Sequence, residues 1–574
     1  MAATTLVPGA STSLPVAHAA APSRFVTGWI PYWELDKLDD IDADGVVDGI
    51  DGLTAHPEVF TEGNVFNFEA TGATTLNLQG GETAYSKAAG TLRAQHLTVF
   101  GTLVDHMGKG GMAAVLADDA ARAAHVQAIA SLTVSRNLDG IDIDYENFAF
   151  SDGSATWPTT QPLWVKFVND LGTALHAQGK LLAVTVPAIW TESGKIRGYT
   201  VYDWANIIGA VDRLRIMVYD WSRAGEANAP MSWVNSVIAY TKATIPNSIG
   251  KVQLGVPTYG YSWPKITSGT CPDNASLSKL SVQTQNAAAL AASKGATPVR
   301  EPGGEMMFTY DTSYTGTTNQ SLSPPGYVPP VDIAPRLAEA DPAQLKPAVR
   351  VRAPGAPVTC TVQRTVVYPD VQSVVDRAKA ALAAGMAGIA IWALGYESPD
   401  LWNALAAIDA ANPNALLGDA TLGDVNAATA LPGAVEVVGW AFDPEVDLPV
   451  QIQVSVNGGD WSGPILARTA RADVAYAYAG AGVDADHGFV TVVPTDAVAG
   501  DTVCVRALGW GAEAAPRDIG CVTATGAEST TTSTDAPTTT EPESTTTEPE
   551  STTSSEPPST VATVAPEAST VPGP

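Results

Sequence analysis

The chain has 574 residues, with 60 Asp and Glu against 31 Lys and Arg and a net charge of −29. Such a charge repels phosphate backbones and anionic bilayers, which excludes nucleic acid as a natural partner, and no apolar run reaches the ~18 residues of a membrane span. With 45% hydrophobic residues and 14 tryptophans, two or three domains with sizeable cores are expected, and the aromatic-rich, base-poor composition suits a neutral ligand with apolar faces, such as a sugar.

Residues 1–23 end in a plausible A-x-A cleavage site around Ala17 to Ala19. They lack a basic n-region, and Pro8 and Pro15 break the apolar stretch, so they are expected to be a signal remnant or disordered. From Arg24 to about Pro413 short β-rich runs alternate with amphipathic stretches. The predicted strands are FVTGWIPY, NVFNFE, HLTVFGTL, GIDIDYE, LLAVTVPA, RLRIMVYD, KVQLGVPTYG and GIAIWALG. Between them lie helical patterns such as DAARAAHVQAIASLTVSR, PLWVKFVNDLGTALHAQG, MSWVNSVIAYTKATI and VQSVVDRAKAALAAG. Eight strands with intervening helices predict an α/β fold, a (β/α)8 barrel over residues 24–413. A doubly wound sheet is the alternative, but no Gly-rich phosphate loop follows the first strand.

After that first strand comes DDIDADGVVDGID, residues 39–51. Asp40, Asp42, Asp44, Val46 (through its carbonyl), Asp48 and Asp51 fall at positions 1, 3, 5, 7, 9 and 12 of a calcium loop, with Gly45 at the turn position. Asp51 is shorter than the usual Glu at position 12, and a solvated acidic loop is the competing reading. Ca²⁺ is the expected, purely structural ligand.

Further on, the spacing breaks between PTYGYSW and VVYPDVQSVVDRAK, a gap far too long for a βα loop. An inserted α+β subdomain is expected there, at about 264–365, with Cys271 and Cys360 near its ends. Beyond Pro413 short strands and turns predict a β-sandwich over 414–526, which holds Cys504 and Cys521. Trp440, Trp461 and Trp510 of this module are candidates for a sugar platform or, more ordinarily, for its core. The 4 cysteines fall in two separated pairs without metal-site spacing. Disulfides and an oxidising compartment are expected, although sequence allows three pairings. Residues 527–574 are Ser, Thr, Pro and Glu with no Lys or Arg, a disordered stalk open to O-glycosylation.

Chemistry is expected in LDGIDIDYENF. Period-2 alternation puts Asp142, Asp144 and Glu146 on one face of a strand and Ile141, Ile143 and Tyr145 on the other. If the apolar face packs on helices, three carboxylates stacked ~7 Å apart point into the barrel near its C-terminal mouth. Their mutual repulsion should leave at least one protonated near neutral pH, a candidate general acid. A solvated acidic strand would not bury them, and a metal site lacks a nearby histidine.

Asp139, Asp142, Asp144 and Glu146 fit the DxxDxDxE pattern, and here the chain resembles glycoside hydrolase family 18, the chitinase-like enzymes. MVYDW, LGVPTYGYSW and GIAIWALG are similar to that family's sixth, seventh and eighth strands. The resemblance implies a secreted or cell-wall-associated β-N-acetylglucosaminidase- or chitinase-type glycosidase that binds N-acetylglucosamine polymer as a monomer, without a catalytic cofactor. It implies hydrolysis with retention, assisted by the substrate's own acetamido group. Glu146 would be acid and then base, Asp144 would hold the acetamido N–H, and Asp142 would share its proton. Tyr219 would bond the acetamido oxygen. Asp139, Met217, Asp220, Trp392, Tyr32 and Trp190 are the implied substrate-binding residues. The third strand, HLTVFGTLVDHMGKGG, departs from the S-x-G-G of chitin-specialised members. With GWIPYW and APMSWVNSVIAY it looks closer to the spore-cortex and peptidoglycan branch. A lectin-like, non-hydrolytic glycan binder on the same barrel is the rival reading, and such proteins typically lack the acid that Glu146 supplies here.

Overall fold

The computed structural model describes residues 25–35, 48–221, 223–318, 357–409, 421–444, 446–478, 483, 485–509 and 516–526. The expected signal remnant, the Ser/Thr/Pro/Glu tail, Trp510 and the loop residues Asp40, Asp42, Asp44 and Val46 lie outside them.

Eight parallel strands close on themselves. In chain order they are Val26–Pro31, Glu62–Ala70, Thr98–Asp105, Gly140–Asp144, Leu181–Pro187, Arg213–Met217, Val252–Pro257 and Gly388–Trp392. The first strand pairs with both the second and the eighth, which makes the sheet a barrel. All eight correspond to runs legible in the sequence, because each is rich in β-branched residues bounded by turn residues. Helices Asp119–Ser135, Trp157–His176, Met231–Thr244 and Val371–Ala383 cover the outside. The last begins with a reciprocal cap in which Asp370 accepts from Ser373 N–H and the Ser373 hydroxyl receives the Asp370 N–H. Outward-facing Ile141, Ile143 and Tyr145 are buried, with Tyr145 stacked on Phe167 and His125.

After the seventh strand the chain leaves the barrel for a five-stranded antiparallel sheet containing Tyr259–Gly269, Leu280–Gln283, Val299–Arg300, Met306–Gly316 and Val358–Tyr368, with helix Thr284–Ser293 packed on it. A disulfide joins Cys271 to Cys360. The sheet thus starts earlier and ends later than the 264–365 read from loop length, because its first strand follows the seventh barrel strand almost without a turn.

Residues 421–526 form two further sheets. One contains Leu422–Leu431, Ala434–Asp443 and Gly488–Pro494, the other Gln451–Val456, Thr502–Leu508 and Arg517–Thr523. Val435, Val437, Ile452, Val454, Val503 and Val505 fill the space between them. Cys504 and Cys521 face each other on adjacent strands and are bonded. Trp440 is stacked on Phe442 and tilted against Tyr478 in a small core rather than on a platform, while the ring of Trp461 carries the Arg506 guanidinium.

This module docks at the end of the barrel where strands begin. Gln451 donates to the Gly179 carbonyl at 2.6 Å, Arg468 lies 3.5 Å from Asp212, and Lys251 lies 2.6 Å from Asp486. Gly179, Asp212 and Lys251 each precede a barrel strand. Barrel residues Phe100, Leu181 and Ala183 share the sandwich's apolar cluster. The opposite end, the C-terminal mouth, is left open for a site.

Candidate active site

Inside the barrel the sequence places a polar column where such folds usually hold Val, Ile and Leu. In RLRIM the alternation turns Arg213 and Arg215 inward and Leu214 and Ile216 outward. Arg215 Nη2 lies 2.8 Å from Glu62 Oε1, and its Nε donates to Gln253 at 3.0 Å. Gln253 in turn donates to Glu62 at 2.8 Å, and Arg213 reaches Glu62 Oε2 at 3.4 Å. All four are buried. Burial alone would push the Glu62 carboxyl up, but Arg213 and Arg215 outweigh it and hold it below its ordinary value.

One layer up stands Asp142. Its Oδ1 lies 3.1 Å from Arg215 Nη1 and accepts from Thr185 at 2.8 Å; its Oδ2 accepts from Trp29 Nε1 at 2.9 Å and Thr102 at 3.0 Å. The side chain is built as an acceptor on both oxygens. No hydrogen bond joins it to Asp144 among the described contacts. Arg215 and three other donors occupy its lone pairs.

Asp144 ends the fourth strand, 6% exposed, and its Oδ1 is buried with no hydrogen-bond partner. Burial raises its carboxyl well above the ordinary range, with the charges of Glu146, Asp142 and Asp105 adding to the effect. Glu146 lies just past the strand rather than in it. The ladder stops at Asp144 because the N–H groups of Glu146 and Asn147 turn to Asp105 Oδ1, at 3.2 and 3.0 Å, and begin the short helix Asn147–Phe150. The Glu146 carboxyl is raised from 4.5 to about 7, first by burial and then by the charges of Asp105 and Asp220. Mutual repulsion within the trio, the cause expected from spacing, is secondary for this group.

Two cavities meet at Glu146 and Phe150. One, of about 460 Å³, is lined by Tyr32, Trp33, Phe66, Asp105 and Asp144 among others. The other, of about 520 Å³, is lined by Trp190, Tyr199, Met217, Tyr219, Asp220 and Trp221 among others. Tyr219 is pushed well above its usual value by burial and by Asp144 and Glu146, so its hydroxyl keeps its proton. Asp220, in a left-handed conformation at φ 63°, accepts from the hydroxyls of Tyr259 and Tyr261, both on the first strand of the insertion. Its N–H donates to Asn228 Oδ1 at 2.7 Å, and Asn228 N–H donates to buried Glu305 of the insertion at 2.8 Å. The insertion therefore braces one wall. Trp392 lines neither cavity, but its ring stands edge-on to Phe66 at 4.9 Å and Trp33 at 6.4 Å, which line the first.

Thus Asp144, Glu146, Tyr219, Met217, Asp220, Tyr32 and Trp190 converge on the mouth, with Asp142 directly beneath. Asp139 does not. It sits before the fourth strand, accepts the Val99 N–H at 2.8 Å and lines neither cavity. At ~3.3 Å per residue it lies far below the mouth, where it ties two strands together. Asp105 was missed; its only signal was an acidic residue two positions past the predicted third strand. Of the six expected calcium ligands, only Asp48 and Asp51 are described. Asp48 accepts the Ile50 N–H and lies 3.6 Å from Lys87, and Asp51 accepts the Asp48 N–H. Among the described residues no group of three His, Cys, Asp or Glu is arranged to hold a metal, and no helix is long and apolar enough to cross a membrane.

Residues 106–397 match the model of glycosyl hydrolases family 18. A Bacillus subtilis protein named as a sporulation-specific glycosylase, YdhD, is 33% identical over 152 residues, which are 26% of this chain and 33% of that relative. The chain thus matches about a third of the length of this curated relative. A Chromobacterium violaceum chitinase structure is similar over 67% of this chain and 98% of its own, at 21% identity and a TM-score of 0.47. The Bacillus cereus spore cortex-lytic enzyme SleL is similar over 68% of this chain and 75% of its own, at 18% identity and a TM-score of 0.47.

Proposed function

This chain belongs to glycosyl hydrolases family 18, and from that premise we propose that it is a glycosidase that cleaves β-linked N-acetylglucosamine polymer, chitin-like or peptidoglycan-like, with Glu146 as acid and then base. The observation that carries the reading is Glu146 itself, a carboxyl raised to about 7 where two cavities meet. Such a group holds its proton near neutral pH and can take it back after one transfer.

In the proposed first step the Glu146 proton passes to the glycosidic oxygen while that oxygen's bond to the anomeric carbon breaks. The carbonyl oxygen of the sugar's own 2-acetamido group bonds to the anomeric carbon from the opposite face, giving a cyclic oxazolinium ion. The buried, unpartnered Oδ1 of Asp144 is suited to the acetamido N–H, whose positive charge grows in this step. The protonated hydroxyl of Tyr219 donates to the acetamido oxygen. In the second step the Glu146 carboxylate takes a proton from water, the water oxygen bonds to the anomeric carbon, and the ring bond to the acetamido oxygen breaks. Two inversions leave the product with the configuration of the substrate. Asp142 supports Asp144 from beneath, while Met217, Asp220, Trp392, Tyr32 and Trp190 shape the groove.

Export to the cell exterior or wall belongs to the same proposal, supported by two disulfides. Ca²⁺ at residues 40–51 is proposed on its sequence pattern alone; a thermal midpoint unmoved by EDTA would remove it. The test of the main reading is product release from chito-oligosaccharides and from purified peptidoglycan, with intact protein and Glu146→Gln. Turnover on either polymer should fall on the order of 10²- to 10⁴-fold in the variant. Binding without cleavage by the intact protein would instead establish the non-hydrolytic glycan binder.

A further inference from the structure

The third strand, which departs from the chitin-specialised pattern, ends on Asp105 beside the proton donor. Its carboxylate makes no ion pair with a described residue; instead Oδ1 accepts the N–H groups of Glu146 and Asn147 at 3.2 and 3.0 Å. The Asp105 carbonyl accepts from the Asn147 side chain at 2.6 Å, closing a knot between the ends of the third and fourth strands. Oδ2 is buried without a partner, and Asp105 lines the same cavity as Asp144 and Glu146. An acid left in such a place has no role in holding the barrel together that a neutral acceptor could not fill. We propose that Asp105 is a positioning residue for the reaction, one that fixes the backbone beneath Glu146 and sets a negative charge beside its carboxyl so that the donor keeps its proton until substrate arrives.

The other groups around Glu146 do not replace this effect. Asp144 follows from the fourth strand and Asp220 from the end of the sixth, both acids, whereas Tyr199, Tyr202 and Tyr219 are raised and neutral. His106, next to Asp105, is engaged by Glu69 at 2.6 Å. Arg223 lines the second cavity, with its guanidinium over the Trp221 ring. Of the acids around Glu146, Asp105 is the one whose carboxylate accepts the Glu146 N–H.

The proposal rests on Glu146 being the acid, and the two can fail separately. The experiment is the pH profile of kcat/KM for wild type, Asp105→Asn and Glu146→Gln on a chito-oligosaccharide or, if only that is cut, on peptidoglycan. Asn keeps an acceptor for both N–H groups and removes the charge. Loss of a negative neighbour lets the donor ionise earlier, so the alkaline limb should move down by about half a pH unit or more. Asp105→Ala, which also frees the backbone, should lose about tenfold further in kcat with a smaller change in KM. A merely structural aspartate would lower the thermal midpoint and leave the limb in place. If Asp105→Asn does not fold, Asp105→Ser is read in the same way. An alkaline limb that stays put in a folded variant, while Glu146→Gln is inactive, overturns this inference alone. Turnover that survives Glu146→Gln overturns both.

Discussion

The barrel's interior holds two sets of buried charges that obey opposite rules. Lower down, the Glu62 carboxylate is paired with Arg213 and Arg215 and bonded to Gln253, at distances between 2.8 and 3.4 Å. At the rim, Asp105, Asp144 and Glu146 are three acids with no described cation paired to them, and burial raises all three. A buried charge is tolerated when it is paired and hydrogen-bonded. Asp144 and Glu146 at the rim take up protons, and a proton held against solvent is a reagent, whereas at Asp105 the backbone N–H groups of Glu146 and Asn147 oppose the effect of burial and favour the carboxylate. Asp142 joins the two sets, bonded to Arg215 below and adjacent to Asp144 above.

Breaking the rim should cost activity and little stability. Asp144→Asn is expected to lower kcat on the order of 10²- to 10³-fold, while the thermal midpoint at pH 8 rises by a few degrees, because a poorly solvated acid is gone. A midpoint that falls steeply would show Asp144 to be a structural acid like those below. Breaking the lower set should do the reverse. Arg215→Met takes away the guanidinium that Glu62 and Asp142 share and is expected to lose about 3–5 kcal/mol of unfolding free energy, read as the guanidinium midpoint. A smaller, purely catalytic effect is expected from Tyr219→Phe, a loss of about 10- to 100-fold in kcat with KM little changed. An unchanged kcat would remove Tyr219 from the reaction.

The smallest effect is the sharpest on the contrast. Glu146 titrates near its ordinary 4.5 when unfolded and at about 7 when folded. Between those values the folded protein binds more protons, so Glu146 favours folding at low pH and this contribution is lost as pH rises through about 7. Glu62, held below its ordinary value, has the opposite sign and loses its contribution only in acid. Glu146→Gln should therefore flatten the decline in thermal midpoint between pH 5 and about 7.5 and leave the acid-side loss intact. An unaltered slope in the variant would mean that Glu146 is not raised.

Much of this was legible without coordinates, for reasons that also explain the rest. The eight strands and four of the covering helices announce themselves through local periods of 2 and 3.6. The carboxylate row was readable because its alternation lies within a few residues. Asp105 was not, because its meaning depends on register: Val104 pairs with Asp144, which brings Asp105 level with the turn that carries Glu146. Nothing within the third strand encodes that neighbour. Arg213 and Arg215 alternate as clearly as the acids do, but a lone basic pair usually marks a solvated face, and its partner Glu62 lies 151 and 153 positions away. Asp139 shows the converse, since a linear motif groups residues that a strand's rise then separates.

The sandwich meets the barrel through the segments before three of its strands, and Phe100, Leu181 and Ala183 belong to the module's apolar cluster as well as to the barrel wall. Residues shared in this way cannot melt with one partner and stay ordered with the other. The contact ties the two into one cooperative unit, so calorimetry of the intact chain should record a single transition for both.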